Sequence, residues 1–268
     1  MNRLVLLIIC WMNWSLLAGQ ESGITESSGP PNMDALLSIK ETLEYEIKYS
    51  FFTVGWITVE IVSDSTFRGK HTRWLQTRIR SNSKIPLVGT EMDHFNTLFS
   101  VDSAGIPYTD FFWKDNLDEG LEKEIYYDFD HQLGEVRYKE EDDTRDTLDI
   151  VPHATAGQLS LYISRLYAGS DSTYRMPVYV SKKLGYVIGE NTTKKERRKY
   201  KPFGKVDTYI SYGDTEDIEG PFGFSGKFRA WFLDDELRVP LEARMRVFLG
   251  NVIVRIIDYK REPLTIDS

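Results

Sequence analysis

The sequence predicts an all-β protein with one main helix, laid out as a curved antiparallel sheet or half-open β-barrel. Three observations predict it. Apolar and polar residues alternate with a period of two in stretch after stretch between Leu43 and Tyr259, the mark of strands with one buried face. Turn-forming residues separate these stretches at short intervals. Only the segment 155–167 places apolar residues at helical spacing. Successive strands joined by short turns pair antiparallel, so the whole reads as a meander.

The first strand sets Leu43, Tyr45, Ile47 and Tyr49 on one face and Glu44, Glu46 and Lys48 on the other. Gly55 punctuates, and Ile57, Val59 and Ile61 alternate with Trp56, Thr58 and Glu60 as its hairpin partner. The same period recurs in Arg73–Arg80, Met92–Val101, Tyr108–Trp113, Leu121–Phe129 and Glu135–Lys139. It continues through Tyr174–Val180, Lys205–Tyr212, Lys227–Leu233, Leu241–Leu249 and Val252–Tyr259. Turns are expected at Arg68-Gly69-Lys70, at 102–105, from Asp130 to Gly134 and at Leu233–Glu236. In the helical segment Leu159, Tyr162, Ile163 and Leu166 share a face, Thr155 and Gln158 stand in capping-box positions, and Gly169 ends it. A short second helix is expected over Ala35–Ile39. No repeat of 20–50 residues and no internal linker is evident, so residues 36–262 read as a single β-rich domain.

Of the 268 residues 41% are apolar and 13% aromatic, an ordered globular composition. Folded as one unit, such a chain buries roughly three quarters of its unfolded surface. A net charge of -8 excludes a protein whose task is to coat nucleic acid.

At the N-terminus Arg3 precedes the apolar run Leu4–Met12, broken by Asn13 and closed by Leu16-Leu17-Ala18-Gly19. Residues 1–19 therefore read as a cleaved signal peptide and the protein as periplasmic or secreted. The lipoprotein box requires a cysteine at position 20, which is Gln20. The one cysteine, Cys10, lies within the signal, so disulfides, thiol catalysis and thiolate metal sites are excluded for the mature chain. Residues 20–35, rich in Ser, Gly, Pro and Glu, read as a flexible lead-in, and 263–268 as a tail.

No reaction is legible. Walker, dinucleotide, His-Glu-x-x-His and Gly-x-Ser-x-Gly motifs are absent, and Gly223-Phe224-Ser225-Gly226 lacks the strand-to-helix context of a nucleophile elbow. His71, His94, His131 and His153 are scattered, so no metal site is expected. Asp128-Phe129-Asp130 opens like a calcium loop, but Leu133 and Lys139 stand where glycine and a bidentate Glu are needed. Asp142-Asp143 and Asp234-Asp235 read as solvated turns. The expectation is a protein that is not an enzyme and carries no cofactor.

Two features remain. Lys194, Lys195, Arg197, Arg198, Lys199 and Lys201 make a basic run in an acidic chain, either an exposed loop between strands or a patch for an anionic membrane surface or acidic partner. The aromatic load exceeds what turns require, and adjacent aromatics must face both sides of a strand. Phe52, Trp56, Phe112, Trp113 and Trp231 are the candidates to line a groove for a lipid or another hydrophobic ligand.

The stretches Leu43–Tyr49 with Val54-Gly55-Trp56, Phe99–Ser103, the helix Leu159–Leu166, Gly226–Leu241 and Leu249–Val252 resemble the domain-of-unknown-function 3108 family over roughly Leu43 to Tyr259. Trp231 with Asp234-Asp235 and the later Pro240 is the most specific piece; it reads as a hairpin that fixes register. His153-Ala154-Thr155 departs from the acidic residue and proline of the pattern. The resemblance implies an exported envelope protein of Gram-negative bacteria without established activity, and its plan is similar to the curved sheets of Lol-type lipoprotein carriers. The leading expectation is a non-enzymatic protein binding a lipid or acyl chain. A scaffold or assembly factor that binds another envelope protein stands second, and a glycan or lipid hydrolase third.

Overall fold

The computed structural model describes residues 29–85, 92–116, 123–140, 142–218, 226–247 and 250–263. The expected signal peptide, 1–19, and most of the expected lead-in and tail lie outside these residues. The first half runs α1 (Met33–Leu37), β1 (Ile39–Tyr49), β2 (Phe52–Phe67), β3 (Lys70–Ser81), β4 (Met92–Val101), β5 (Pro107–Asn116), β6 (Lys123–Asp130), β7 (Glu135–Lys139) and β8 (Arg145–Asp149). Then come β9 (Thr155–Ala156), α2 (Leu159–Arg165), β10 (Thr173–Val180), β11 (Lys183–Tyr200), β12 (Gly204–Glu216), β13 (Phe228–Leu233), β14 (Pro240–Val247) and β15 (Gly250–Pro263).

All fifteen strands belong to one sheet, ordered β8-β7-β6-β5-β4-β3-β2-β1-β15-β14-β13-β12-β11-β10-β9. Every neighbour pair is antiparallel except the two-residue β9 beside β10. Only the β1–β15 pairing joins strands distant in sequence; Leu43 there faces Tyr259 and Ile47 faces Val254. It is the long-range step that turns two meanders into one continuous sheet.

The sheet curls until its edges approach but do not pair, and side chains tie the seam. Tyr179 Oη donates to the Asp149 carbonyl (2.5 Å) and accepts from Val151 N (3.2 Å), while Lys182 N donates to Tyr127 Oη (3.0 Å). The segment after β8 crosses the gap, with Thr109 N donating to the Ala154 carbonyl and Ala156 N to Thr109 Oγ1, both at 3.0 Å. Under this seam Phe112, Tyr127, Phe129, Val136, Tyr138 and Tyr179 form a buried aromatic cluster. The larger core lies beneath α2, whose Leu159, Tyr162 and Ile163 meet Leu43, Val59, Leu75, Met176 and Leu241 from both halves of the sheet.

Strand parity sorts the connections into two ends. The β1–β2, β3–β4, β5–β6, β12–β13 and β14–β15 connections leave at one end; α1 and the β13–β14 turn sit at the other. That second end is plugged. Arg165 and Glu41, 0% and 1% exposed, form a two-point ion pair, and Arg165 Nε also donates to the Leu237 carbonyl at 2.9 Å. Tyr259 Oη donates to Glu41 Oε2 (3.2 Å) and Tyr45 Oη to the Pro240 carbonyl (2.9 Å). Arg238, fully buried, donates to the carbonyls of Ala168 (3.1 Å), Gly29 (3.0 Å) and Asp235. Met33 and Leu36 of α1 close the end with apolar contacts.

Several expectations are corrected. Asp234 and Asp235 are not solvated: both are buried, Asp234 pairing with Lys195 at 2.5 Å while Asp235 Oδ1 accepts from Leu237 N and Val239 N. An acidic pair looks like surface to composition, but here its carboxylates satisfy the turn's own backbone donors and a neighbouring cation. The short helix spans Met33–Leu37 and not Ala35–Ile39, because Asn32 Oδ1 accepts from Ala35 N at 2.9 Å and caps it. This helix begins within the stretch 20–35 read as lead-in. The main helix is shorter than 155–167: Thr155 and Ala156 pair with β10, Thr155 Oγ1 is bound to the Pro177 carbonyl, and Gln158 makes no capping bond. Three strands escaped the alternation, β8, β9 and β11. The first is almost wholly exposed, the second has two residues, and β11 mixes glycines with the basic run.

Burial raises the Asp235 carboxyl to about 6, with Glu236 as a secondary cause, against an ordinary value of 3.8. Between about 4 and 6 the folded state then holds a proton that the unfolded chain has released, so this group's contribution to stability falls as pH rises through that window. Thermal melts of the wild type and Asp235→Asn at pH 4.5 and 7 should show the variant less destabilised by the pH increase. Parallel shifts in the two proteins would place the group at an ordinary carboxylate value.

Candidate functional site

The concave face of the sheet encloses a cavity of about 380 Å³. Ile57, Val59 and Ile79 line it from one half of the sheet, Ala230, Ala243, Met245 and Val254 from the other, and Leu161 from α2. Most of these positions lie in the parts of their strands nearer the β1–β2 hairpin, so the cavity lies toward the end opposite the plug.

The hollow has a cause in the register. Ser211, Ala230 and Ala243 are direct cross-strand partners, and Ala243 in turn faces Val254. A row of small side chains across three adjacent strands leaves the interior short of atoms. Two residues along each strand, on the same face, Gly189, Gly213, Phe228 and Met245 form the next row. There the Phe228 ring lies over Gly213, where a Cβ would come within 2.0 Å of it, and the Tyr174 ring lies likewise over Gly189. The glycines let two aromatic rings lie flat against the sheet instead of filling the space.

The lining is predominantly apolar, and several of its polar groups are engaged with protein. Ser160 Oγ donates to Gly157 O (2.9 Å), Ser164 Oγ to Leu161 O (2.8 Å) and Ser211 Oγ to Asn191 Oδ1 (2.7 Å). Thr215 Oγ1 accepts from Gly226 N at 2.8 Å. Glu242 is held by Arg198 at 2.9 Å and Arg244 at 2.6 Å. A hydrocarbon segment fits such a lining; a charged one would have to shed its hydration for little return.

The five aromatics expected to make the groove are not brought together, and none borders this cavity. Phe112 stacks on Phe95 and meets Tyr127 in the seam cluster. Trp113 faces the other way, stacked on Trp74 with its Nε1 donating to Asp115. Phe52 is at the tip of the β1–β2 hairpin beside Phe51. Trp56 lies on the convex face under Arg80, bordering a second, more polar hollow of about 350 Å³. Trp231 is buried on the convex face, Nε1 donating to Glu196 Oε2 at 2.8 Å with Arg198 over the ring. Aromatic excess marked packing on two faces of a sheet, whereas the cavity is marked by small residues at concave positions of adjacent strands. That second signal was present in the alternation but needs the pairing register to be seen.

The basic run is the second half of strand β11 and not a loop, with Lys201 in the turn that follows. Alternation divides its charges between faces. Lys195 pairs with Asp234, Arg197 with Asp207 at 3.3 Å, and Arg198 with Glu196 and Glu242, so half of the six cations are matched internally. Lys194, Lys199 and Lys201 retain the anionic-surface expectation. Among the described residues no three His, Cys, Asp or Glu side chains converge to hold a metal ion. His153 meets Asp102 at 3.0 Å and His131 the Thr109 carbonyl at 2.8 Å, separate surface contacts. No helix among the described residues is long and apolar enough to cross a membrane.

The chain is similar in fold to a β-barrel-like protein of domain of unknown function DUF1849 from Brucella abortus. Identity is 10%, 85% of this chain and 98% of that one are covered, and the TM-score is 0.51. A protein from Bacteroides fragilis described as exported, with a YmcC-like fold, aligns at 8% identity over 82% of this chain and 95% of that one, TM-score 0.39. No curated protein matches. The family model of a protein of unknown function, DUF3108, matches residues 44–256, the whole span from β1 to β15 that carries the cavity, and the chain belongs to that family.

Proposed function

We propose that the protein is a non-enzymatic carrier or receptor in the bacterial envelope, holding the hydrocarbon chain of a lipid inside its curled sheet. The apolar cavity carries this reading. Its volume of about 380 Å³ lies within the ~300–1,000 Å³ of small-molecule sites. The plug at one end and the cavity's position toward the other put entry of the chain from the β1–β2 hairpin end, with the polar end of the lipid left there. Export is supported by the signal-like pattern of the first nineteen residues.

The assembly-factor reading has one observation in its favour, the exposed edge strand β8. Arg145, Asp146 and Asp149 on that edge are the charges with which proteins discourage strand addition, so the carrier reading is preferred.

The test is native mass spectrometry of protein prepared from its own host without detergent, with organic extraction of the same sample. The expected result is an added mass that extracts as one lipid class. A bare polypeptide mass, together with no uptake of a fluorescent fatty acid such as cis-parinaric acid, would overturn the reading.

A further inference from the structure

The large apolar side chains exposed among the described residues are unevenly placed. Phe51 and Phe52 are 78% and 47% exposed, with ring centroids 4.1 Å apart at the tip of the β1–β2 hairpin. Met92 at the start of β4 and Tyr212 near the end of β12 are also exposed, and strand parity puts all four at the end opposite the plug. Toward the opposite end lie Leu133, in the β6–β7 turn, and Val62, in the second half of β2, which do not adjoin each other in the sheet.

The cations follow the same arc. Arg80, near the end of β3, lies over the Trp56 ring at 4.4 Å, and exposed Lys84 follows just beyond the strand. On the convex face of β13 and β14, Arg229 and Arg244 are direct cross-strand partners. Like charges facing each other are unfavourable in a sheet; Arg244 is held by Glu242 at 2.6 Å, whereas nothing among the described residues forms an ion pair with Arg229, which rests on the rings of Tyr212 and Trp231. Exposed Arg246 continues the row. The strands concerned, β4-β3-β2-β1-β15-β14-β13-β12, are consecutive in the sheet, so the arc is one surface. In a chain with a net charge of -8 this arc is rich in arginine and aromatic side chains, with exposed Glu216 and Asp217 at its β12 end.

We propose that this rim docks on an anionic lipid bilayer, Phe51 and Phe52 entering the interface while Arg80, Arg229, Arg244 and Arg246 engage lipid phosphates. Arginine forks suit phosphate oxygens, and a phosphate beside Arg229 supplies the anion that the described residues do not. A bilayer fits better than a protein partner because the apolar groups sit at a projecting tip and the cations are spread along an arc. A protein site would gather the apolar groups at the centre of a recessed patch. Docking deepens the carrier reading and rests on it for one point, that the rim beside the cavity meets the lipid source.

The test is co-sedimentation with phosphatidylglycerol-containing and pure phosphatidylcholine vesicles, using the wild type, Phe51→Ser/Phe52→Ser and Arg80→Gln/Arg246→Gln in the same full chain. All variants are compared with the same N-terminus, so its own membrane affinity cancels. Binding should favour the anionic vesicles, and each arginine removed should weaken it roughly fivefold, the equivalent of ~1 kcal/mol per cation near a charged surface. The phenylalanine variant should weaken binding to both compositions. Cis-parinaric acid uptake without vesicles should stay at the wild-type level in both variants, which separates docking from loading. Equal vesicle binding by all three proteins overturns the docking proposal and leaves the cavity reading standing. Vesicle binding lost together with probe uptake also overturns it, since the substitutions would then have acted through the cavity.

Discussion

Replacing Arg165 with methionine is expected to lower folding stability by about 3–5 kcal/mol, the cost of stranding one member of a buried ion pair. For a domain of this size that corresponds to a fall in melting temperature on the order of 10 °C. Arg165 is wholly buried in the last turn of α2, and its removal leaves the Glu41 carboxylate, 1% exposed, without its cation. The Leu237 carbonyl loses a donor in the same step, and the phenol of Tyr259 is left on an unneutralised carboxylate. Burial already holds the Tyr45 and Tyr162 phenols far above their ordinary values, so the site has no spare capacity to stabilise a lone anion. The double variant Arg165→Met/Glu41→Leu should recover at least half of the loss, because a buried pair replaced by apolar groups is often close to neutral. Urea titrations of wild type, single and double variants decide it. A single-variant loss below about 1 kcal/mol would mean that water reaches the pair, contrary to its burial.

The plug matters for function because α2 has two tasks. Arg165 ties its C-terminal turn to β1 and to the β13–β14 turn, while Leu161 and Ser164 from the same helix line the cavity. A helix of only seven residues has little stability of its own, so its position depends on such anchors.

The strands were legible where one face is buried and the other wet. Leu43, Tyr45 and the Ile57–Ile61 stretch alternate as written, and Pro240 opens β14 where the hairpin reading placed it. Legibility failed where burial did not follow composition. Asp234 and Asp235 are charged yet buried because the turn they occupy is folded inward over the end of the sheet. Lys194–Tyr200 reads as loop because its charges outnumber its apolar residues, yet the backbone pairs with β12 from Lys195 to Tyr200. Tertiary pairing overrides local preference in such strands. The cavity failed for a different reason. A sequence shows which residues are large, but a void arises from which small residues become neighbours, and Ala230 opposite Ala243 is a fact of register.

That register supplies the sharpest test of the carrier reading. Ala243→Phe should abolish cis-parinaric acid binding, or weaken it by more than about tenfold, equivalent to ~1.4 kcal/mol, while leaving the melting temperature unchanged or higher. The Ala243 side chain lies on the concave face between Ala230 and Val254, at the centre of the small-residue row. A phenyl ring there occupies space that the lipid chain would take, and filling a void returns part of the contact energy that the void forfeits. Most core enlargements meet packed atoms and destabilise; this one projects into about 380 Å³ of empty space. Phe112→Leu is the matching control, since Phe112 sits in the seam cluster away from the cavity. It should cost stability, on the order of 1 kcal/mol, and leave probe affinity as it is wherever the protein remains folded. The opposite pattern, with Phe112→Leu lowering affinity and Ala243→Phe neutral, would put the ligand among the aromatics that composition first suggested and remove the cavity from the mechanism.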